Sequence, residues 1–364
     1  MRRATLTLLA LAAALAALVL IALALTGYDY RSDGPQSALD PAGPNARALA
    51  NLHDVMLFGA AAIWVVVIGI SVYAGYVRPG RHSDRVGHAL ILGGGVIFPV
   101  VVLSALLVYG LGLMGDLRQG SGIAGGDGSA RLWQADPGNP DLLRIHVSGE
   151  QWWWRVHYYP PGATEPIVSA NEIRIPVGAP VEFTLTSPDV IHSFWMPALG
   201  GKLDMIPGRL NRLVLSADEV GVYRGECAEF CGTSHALMAF AVETMEPDAF
   251  VAWLAAEARP APSPETPSDI RAYEVFMRSG CDACHAIRGT DADGRIGPDL
   301  THLGSRHTIA AGILPNNPGT VAGWIADTQS IKPGNKMPPY DGLTGEELRL
   351  LGTWLAGLGR EEAG

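Results

Sequence analysis

Twelve residues from Cys227 to Met238 bring together four side chains that bind soft metal ions. The segment reads CAEFCGTSHALM, so the thiols of Cys227 and Cys231 are followed by the imidazole of His235 and the thioether of Met238. Copper prefers thiolate, thioether and imidazole ligands, whereas magnesium prefers oxygen. The pattern predicts a copper site. Because two cysteines stand four residues apart, their thiolates can bridge two copper ions.

A second cluster, Cys281-Asp-Ala-Cys284-His285, has the Cys-x-x-Cys-His spacing of covalent c-type haem attachment. Both cysteines would form thioether bonds to the haem, and His285 would ligate the iron. A redox dithiol would lie in a βαβ pattern, which is not seen, and a zinc site would need further Cys or His at defined spacing. The sequence therefore predicts a haem c.

The second axial ligand of this haem must come from further along the chain. Met337 lies in the proline-bounded segment KPGNKMPP and is the predicted ligand, since His/Met ligation raises the haem potential in cytochromes c. The alternatives are His302 and His307, which would give bis-histidine ligation.

Composition limits the other functions open to the chain. The 364 residues carry a net charge of −10, and no basic run interleaves with aromatic residues, which argues against nucleic-acid binding. All four cysteines belong to the two close pairs, so they do not form the scattered framework of a disulfide-stapled domain.

The first third of the chain is predicted to be embedded in a membrane. Residues 1–26 fit a signal peptide or an extra membrane helix, and residues 27–53 an external loop. Residues 54–115 are predicted to form a transmembrane hairpin with spans at about 55–77 and 89–113, because both runs exceed the roughly 20 apolar residues that cross a bilayer.

The loop between the spans predicts the orientation of the hairpin. It carries Arg78, Arg81 and Arg85 against one acid, Asp84, and positive loops stay in the cytoplasm. The remainder of the chain would then lie on the periplasmic or outer side. We expect a multi-pass protein of the bacterial inner membrane, packed against another membrane subunit.

The external part divides into two predicted domains. After a Gly- and Pro-rich linker at 116–141, residues 142–256 show short alternating segments separated by turns, as in an all-β sandwich. Residues 257–268 form a proline-rich linker, predicted to be an extended spacer. Residues 269–360 begin with a helix and contain the haem motif, and predict an all-α domain.

The β-domain offers the copper loop a further imidazole. His192 lies in segment 189–195, after a predicted strand. A sandwich that brings a histidine from an earlier loop to a Cys/His/Met loop has the layout of a copper electron-transfer domain.

With these residues in place, the chain resembles subunit II of the haem–copper cytochrome c oxidases in its copper A form. The resemblance rests on Cys227-x3-Cys231-x3-His235-x2-Met238, His192, the tryptophan run after Gln151 and segment 201–211. The C-terminal domain resembles class I cytochrome c through the haem motif, the GPDL segment at 297–300 and the Met337 loop. The combination is similar to caa3-type oxidases, with a cupredoxin-like sandwich.

The resemblance implies roles for individual residues. It implies a copper A ligand set of His192, Cys227, Glu229 (through its backbone carbonyl), Cys231, His235 and Met238. It also implies that the Glu229 carboxylate binds a magnesium ion at the boundary with subunit I, and that Trp152 is the aromatic residue through which electrons enter.

The function implied is electron entry into a terminal oxidase. Haem c would pass electrons to copper A and on to the catalytic subunit I, where oxygen is reduced and protons are pumped. The partners would include subunit III and a donor such as a cytochrome c or bc1 complex. The chain would be a component of cytochrome-c oxidase, not its oxygen-reducing site. The alternative is a membrane-anchored carrier serving another reductase, such as a copper A nitric oxide reductase.

One segment departs from the family pattern. Many members have an acidic residue near the start of the second helix, where a proton path into subunit I begins. Residues 85–90 carry no carboxylate, and His88 is the titratable residue there. We therefore hypothesise that His88 substitutes for the acid, or that another subunit supplies the proton path.

Overall fold

The computed structural model describes residues 34–77, 79, 83–119 and 142–360. The predicted signal peptide at 1–26, the loop residues Arg78 and Arg81 and most of the linker predicted at 116–141 lie outside these residues. The described chain divides into two units: one holds the hairpin from residue 48 onward, and the other holds residues 34–47 and 142–360.

The hairpin consists of two long apolar helices. The first, α1, spans Pro44–Val72 and continues as a π-helical turn at Tyr73–Val77. The second is built from α2 (Asp84–Leu92), a π-helical turn at Gly93–Ile97 and α3 (Phe98–Gln119). The segments Pro44–Val77 and Asp84–Met114 are long and apolar enough to cross a membrane.

Both helices begin earlier than the sequence predicted. The expected loop at 27–53 is wrong from Pro44 onward, because proline suits the first turn of a helix and the Ala- and Leu-rich residues after it have high helix propensity. The second helix begins at Asp84 instead of 89, with Ser83 as its N-cap. Apolar run length alone did not reveal these polar first turns.

The β-domain is a sandwich of ten strands. The strands are β1 (Leu143–Glu150), β2 (Trp153–Tyr159), β3 (Ile167–Ala170), β4 (Glu172–Pro176), β5 (Val181–Thr186), β6 (His192–Trp195), β7 (Leu203–Met205), β8 (Asn211–Leu215), β9 (Gly221–Cys227) and β10 (Ala239–Met245). They form two five-stranded sheets, in the orders β3-β2-β1-β5-β8 and β4-β10-β9-β6-β7. Alternate side chains of β2 and β5 are buried between the sheets, as period-two patterning requires. Helix α4 (Pro247–Glu257) follows β10.

Sheet order explains why the residues predicted to bind copper lie close together. In the second sheet β9 lies between β10 and β6 and pairs antiparallel with each of them. Cys227 ends β9, and Cys227 N donates to Met238 O at 2.9 Å, which closes the loop at the start of β10. Because Phe194 pairs with Cys227, His192 at the beginning of β6 is carried to the same edge.

The C-terminal domain is mainly helical. Its helices are α5 (Pro267–Arg278), α6 (Pro318–Ala326), α7 (Thr328–Ile331) and α8 (Gly345–Gly357), with a two-stranded hairpin of β11 (Thr308–Ile309) and β12 (Leu314–Pro315). Trp354 of α8 packs edge-on against Phe276 of α5, with ring centroids 5.8 Å apart. The fold class predicted for the whole chain is therefore confirmed: two apolar helices, a β-sandwich and a helical domain.

The linker predicted at 257–268 is packed against the haem domain instead of forming a free spacer. Ala261 is buried, and its N–H donates to Arg288 O at 2.8 Å. Arg288 in turn donates from Nη2 to Glu257 O at 2.8 Å. Proline content predicted the extended backbone, but it carried no information about these contacts.

Candidate metal and haem centres

The copper-binding residues predicted from sequence converge on one small volume at the end of the sandwich. The Sγ atoms of Cys227 and Cys231 lie 3.7 Å apart. His192 Nδ1 is 3.8 Å from Cys227 Sγ, and His235 Nδ1 is 3.6 Å from Cys231 Sγ. Each thiol thus faces one imidazole, an arrangement that fits two metal ions sharing two thiolates.

Two weaker donors complete the set. Met238 Sδ lies 3.9 Å from Cys231 Sγ, and Glu229 O lies 3.2 Å from Cys227 Sγ. The Glu229 side chain points to the surface, so its backbone and its carboxylate face different surroundings. Soft sulfur and nitrogen donors at this spacing match copper.

The two thiols are electrostatically coupled. Their shared hydrogen bond lowers the pKa of Cys227 because it favours the thiolate there, and the same bond together with burial raises the pKa of Cys231. Both cysteines must be thiolates to bind copper, so copper binding would displace any proton that the pair still holds.

Asp189 is a functional residue that sequence reasoning missed. The ring of His192 is fully buried, and its Nε2 is 2.9 Å from Asp189 Oδ1, which leaves Nδ1 facing Cys227. The Asp189 carboxylate also accepts from Gln151 N and Val190 N, both at 2.7 Å. A carboxylate on the far nitrogen fixes the tautomer and orientation of a metal-binding histidine. The spacing Asp-x-x-His was the available signal.

Trp152 lies between the copper loop and the haem domain. Its Nε1 donates to Cys231 O at 3.1 Å, and only 8% of the residue is exposed. A Cβ on Gly334, in the Met337 loop, would lie 3.2 Å from Trp152 Cη2. The residue expected to be a surface aromatic is thus covered by the chain's own haem domain.

The haem motif and Met337 line one cavity. The cavity has a volume of about 430 Å³, and its lining includes Cys281, Cys284, His285 and Met337. Apolar side chains of the helical domain form much of the remaining wall, including Phe276, Leu300, Val321, Trp324, Ile325, Leu351 and Leu355. An apolar cavity with two thiols and two axial ligands in its wall fits a covalent haem.

Local bonds hold both proposed axial ligands. His285 Nδ1 lies 2.8 Å from Pro298 O, which leaves Nε2 for iron, and burial lowers the pKa of His285 and favours its neutral form. A Cβ on Gly297 would lie 2.6 Å from His285 Cε1, so this position accepts only glycine. In the other loop, Met337 N donates to Asn335 Oδ1 at 2.9 Å, and Met337 O accepts from Thr328 Oγ1 at 2.7 Å.

The alternative axial ligands have other partners. His302 Nδ1 lies 3.2 Å from Arg288 Nη2 and 3.5 Å from Glu257 Oε2, and His307 Nε2 lies 3.0 Å from Glu243 Oε2. Neither residue is part of the cavity wall. The geometry favours Met337.

The haem domain is joined to the sandwich by a dense set of hydrogen bonds. Two of them surround the copper loop: Ala239 N donates to Ala311 O at 2.9 Å, and Ser234 Oγ donates to Pro333 O at 2.6 Å. Further bonds run from Arg155 Nη2 to Arg295 O (2.9 Å), from Arg174 Nη2 to Ser305 O (2.8 Å), from Arg224 Nη1 to Gly312 O (2.8 Å) and from His307 N to Glu172 Oε2 (2.7 Å). The two centres are therefore held as neighbours.

Comparison with known proteins identifies the two domains that contain these residues. Residues 143–245 match the family model for the periplasmic domain of cytochrome c oxidase subunit II, and residues 270–359 match that for cytochrome c. Cytochrome c oxidase subunit 2 of Alkalihalophilus pseudofirmus is 34% identical over 334 residues, which cover 88% of this chain and 90% of that protein. The Bacillus subtilis protein of the same name is 36% identical over 61% of this chain and 64% of its own length.

A similar solved structure is the periplasmic domain of subunit II of the Bradyrhizobium japonicum cytochrome oxidase. It is 33% identical, with a TM-score of 0.28, and the match covers 34% of this chain and 94% of that one. The chain thus belongs to the cytochrome c oxidase subunit 2 family, in the caa3-like form that carries a cytochrome c domain after its copper domain.

Proposed function

We propose that this chain is the electron-entry subunit of a haem–copper terminal oxidase. It accepts electrons in the cytochrome domain, passes them to the cysteine-bridged copper site and delivers them to subunit I, where oxygen is reduced to water and protons are pumped. The observation that carries the proposal is the position of Trp152, which lines the haem cavity and also donates a hydrogen bond to Cys231 O at 3.1 Å.

When bound, haem c and copper A would each supply one-electron redox chemistry. His285 and Met337 would hold the iron, and Cys281 and Cys284 would fix the porphyrin. The copper ions would be held by the six donors around Cys227 described above. Because hydrogen bonds hold His192, His285 and the backbone of Met337, we expect these ligands to move little when the charge of either centre changes.

The domain contact supports a fixed relay. The cytochrome domain would not have to find the copper domain by diffusion, because backbone and side-chain bonds on both sides of the copper loop hold it there. One indole lies between the haem cavity and the backbone of a copper ligand. This arrangement favours direct transfer inside one chain over exchange between molecules.

We propose that electrons leave through the exposed face of the copper loop. Phe230, between the two copper-binding cysteines, is 75% exposed, and the neighbouring Glu229 is exposed as well. We propose that this face contacts subunit I and that the Glu229 carboxylate binds magnesium there. The apolar helices would anchor the subunit in a bacterial inner membrane, with both redox domains on the periplasmic side.

The test is purification of the intact complex followed by metal, haem and turnover analysis. The proposal predicts two coppers and one covalent haem in this chain, co-purification with a multispan haem subunit, and consumption of oxygen with electrons from a soluble donor. A complex that reduces nitric oxide and leaves oxygen untouched would refute the oxidase assignment and favour the copper A nitric oxide reductase instead. Absence of covalent haem or of copper would refute the relay.

A further inference from the structure

Lys332 is a buried cation without a carboxylate partner in the part of the chain that the structure describes. It is 2% exposed, and its Nζ donates to Ala310 O at 3.0 Å. Burial lowers the pKa of Lys332 to about 7, and the charge of Cys231 opposes that shift. An ammonium group has three N–H donors, and burying it without an anion is costly.

The charges around Lys332 identify the missing partner as an anion in the haem cavity. The lining contains five basic residues, Arg155, Arg295, Arg306, Lys332 and Lys336, and one acidic residue, Glu150. Glu150 is already paired with Arg155, with 2.7 Å between Oε1 and Nε. In a chain of net charge −10, this excess of basic residues around one cavity is unusual and indicates an anionic occupant.

A second buried cation faces the same cavity. Arg306 is 6% exposed, and its Nη2 donates to Asp299 O at 2.6 Å, while its Nε forms no hydrogen bond in the structure. Two buried cations with unused donors require an acceptor that the described residues do not supply. A haem carries two carboxylate side chains, which match this requirement in number and sign.

We propose that Lys332 binds a carboxylate side chain of the covalent haem. The inference rests on the proposed haem site. Ala310 O accepts from Lys332, and the neighbouring Ala311 O accepts from Ala239 N of the copper domain. The pairing of Lys332 with the haem carboxylate would therefore link haem binding to the contact between the two domains.

The alternative role for Lys332 is an electrostatic interaction with the copper site, since the charge of Cys231 acts on its ammonium group. The two roles differ in which centre responds to the loss of the charge. A cation paired with a haem carboxylate favours the reduced haem, so its removal lowers the haem potential. If Lys332 interacts with the copper site, removal of its charge shifts the copper potential instead.

The experiment is spectroelectrochemical titration of haem c and copper A in the intact complex carrying Lys332→Met. We expect the equilibrium constant for haem reduction to fall about tenfold, which is about 59 mV for one electron. Lys332→Arg should restore most of the shift. The matched control is Lys336→Met, which removes the same charge from an exposed position of the same loop and should give a smaller shift because of solvent screening.

Redox-difference infrared spectra provide a second readout. The haem carboxylate bands should move in Lys332→Met and move less in Lys336→Met, because Lys336 lies at the exposed part of the cavity wall. An unchanged haem potential with a shifted copper potential, or unmoved carboxylate bands, would overturn the inference. If Lys332→Met does not accumulate, Lys332→Gln replaces it under the same criteria. Failure of the haem proposal itself would appear separately, as wild-type protein without covalent haem.

Discussion

The role assigned to Asp189 gives the sharpest prediction about the copper site. His192 is fully buried, and its Nε2 has Asp189 Oδ1 as a partner at 2.9 Å. Loss of such an outer partner typically lowers metal affinity 10- to 100-fold. Asp189→Asn keeps an oxygen that can accept this bond but removes the charge, so we expect a loss of copper affinity of about tenfold, or about 1.4 kcal/mol.

Asp189→Ala should have the larger effect. It removes the acceptor for the imidazole and also the acceptor for Gln151 N and Val190 N. We therefore expect a loss of copper affinity near the upper end of the 10- to 100-fold range, about 100-fold or about 2.8 kcal/mol. The assay is competition for copper against a chelator of known affinity in the full-length protein, with the copper-to-protein ratio measured after dialysis.

The matched control is Asp218→Asn, which removes an exposed carboxylate of the copper domain that is paired with Arg47 in the first turn of α1. Exposed ion pairs contribute little, so its copper affinity should equal that of the wild type. Thermal unfolding of the copper-free variants separates loss of affinity from loss of fold. If both Asp189 variants bind copper within twofold of wild type, the orienting role is refuted.

Three further predictions concern the haem ligand, the domain contact and the copper loop. Met337→Ala should lower the haem potential and abolish the weak red-edge absorption band, and a spectrum that keeps the band would refute methionine ligation. The pKa of His307 is raised, first by its bond to Glu243, so this bond is complete below the raised pKa and is lost as the pH rises through it. The domain contact should therefore be tighter at acid than at alkaline pH by at most about 1 kcal/mol for this partly exposed pair. Limited proteolysis of the 257–268 linker should report the difference, and His307→Gln should remove it; equal pH dependence in that variant would contradict the assignment. Glu229→Gln should retain both coppers because the proposed bond uses the backbone carbonyl, and copper analysis showing their loss would contradict that.

The copper loop could be proposed from the sequence because its chemistry is local. Cys227, Cys231, His235 and Met238 are close in the chain, so a single loop places them together. His192 was found because its residue type supplied a missing imidazole, although only the pairing of β6 with β9 explains how it arrives. The assignments of these residues as copper ligands remain predictions, supported by the distances between their donor atoms.

The features that sequence reasoning missed depend on contacts between distant segments. Asp189 is the local exception: it lies three residues before His192, but the Asp-x-x-His spacing alone does not show that the carboxylate faces the imidazole nitrogen. The burial of Trp152 and of Ala261 arises from the docking of one domain on another, which the proline-rich composition of the linker did not indicate. Lys332 lies in a polar segment beside Met337, and nothing in that segment indicates that its side chain is buried.

The measurement that tests the central claim most directly is time-resolved electron transfer within the intact complex. Haem c would be reduced by a light pulse, and oxidation of the haem and reduction of copper A would be followed together. The fixed-relay account predicts that both changes share one first-order rate, independent of protein concentration and slowed in Trp152→Ala. A rate that rises with protein concentration, or electrons that bypass copper A, would contradict it.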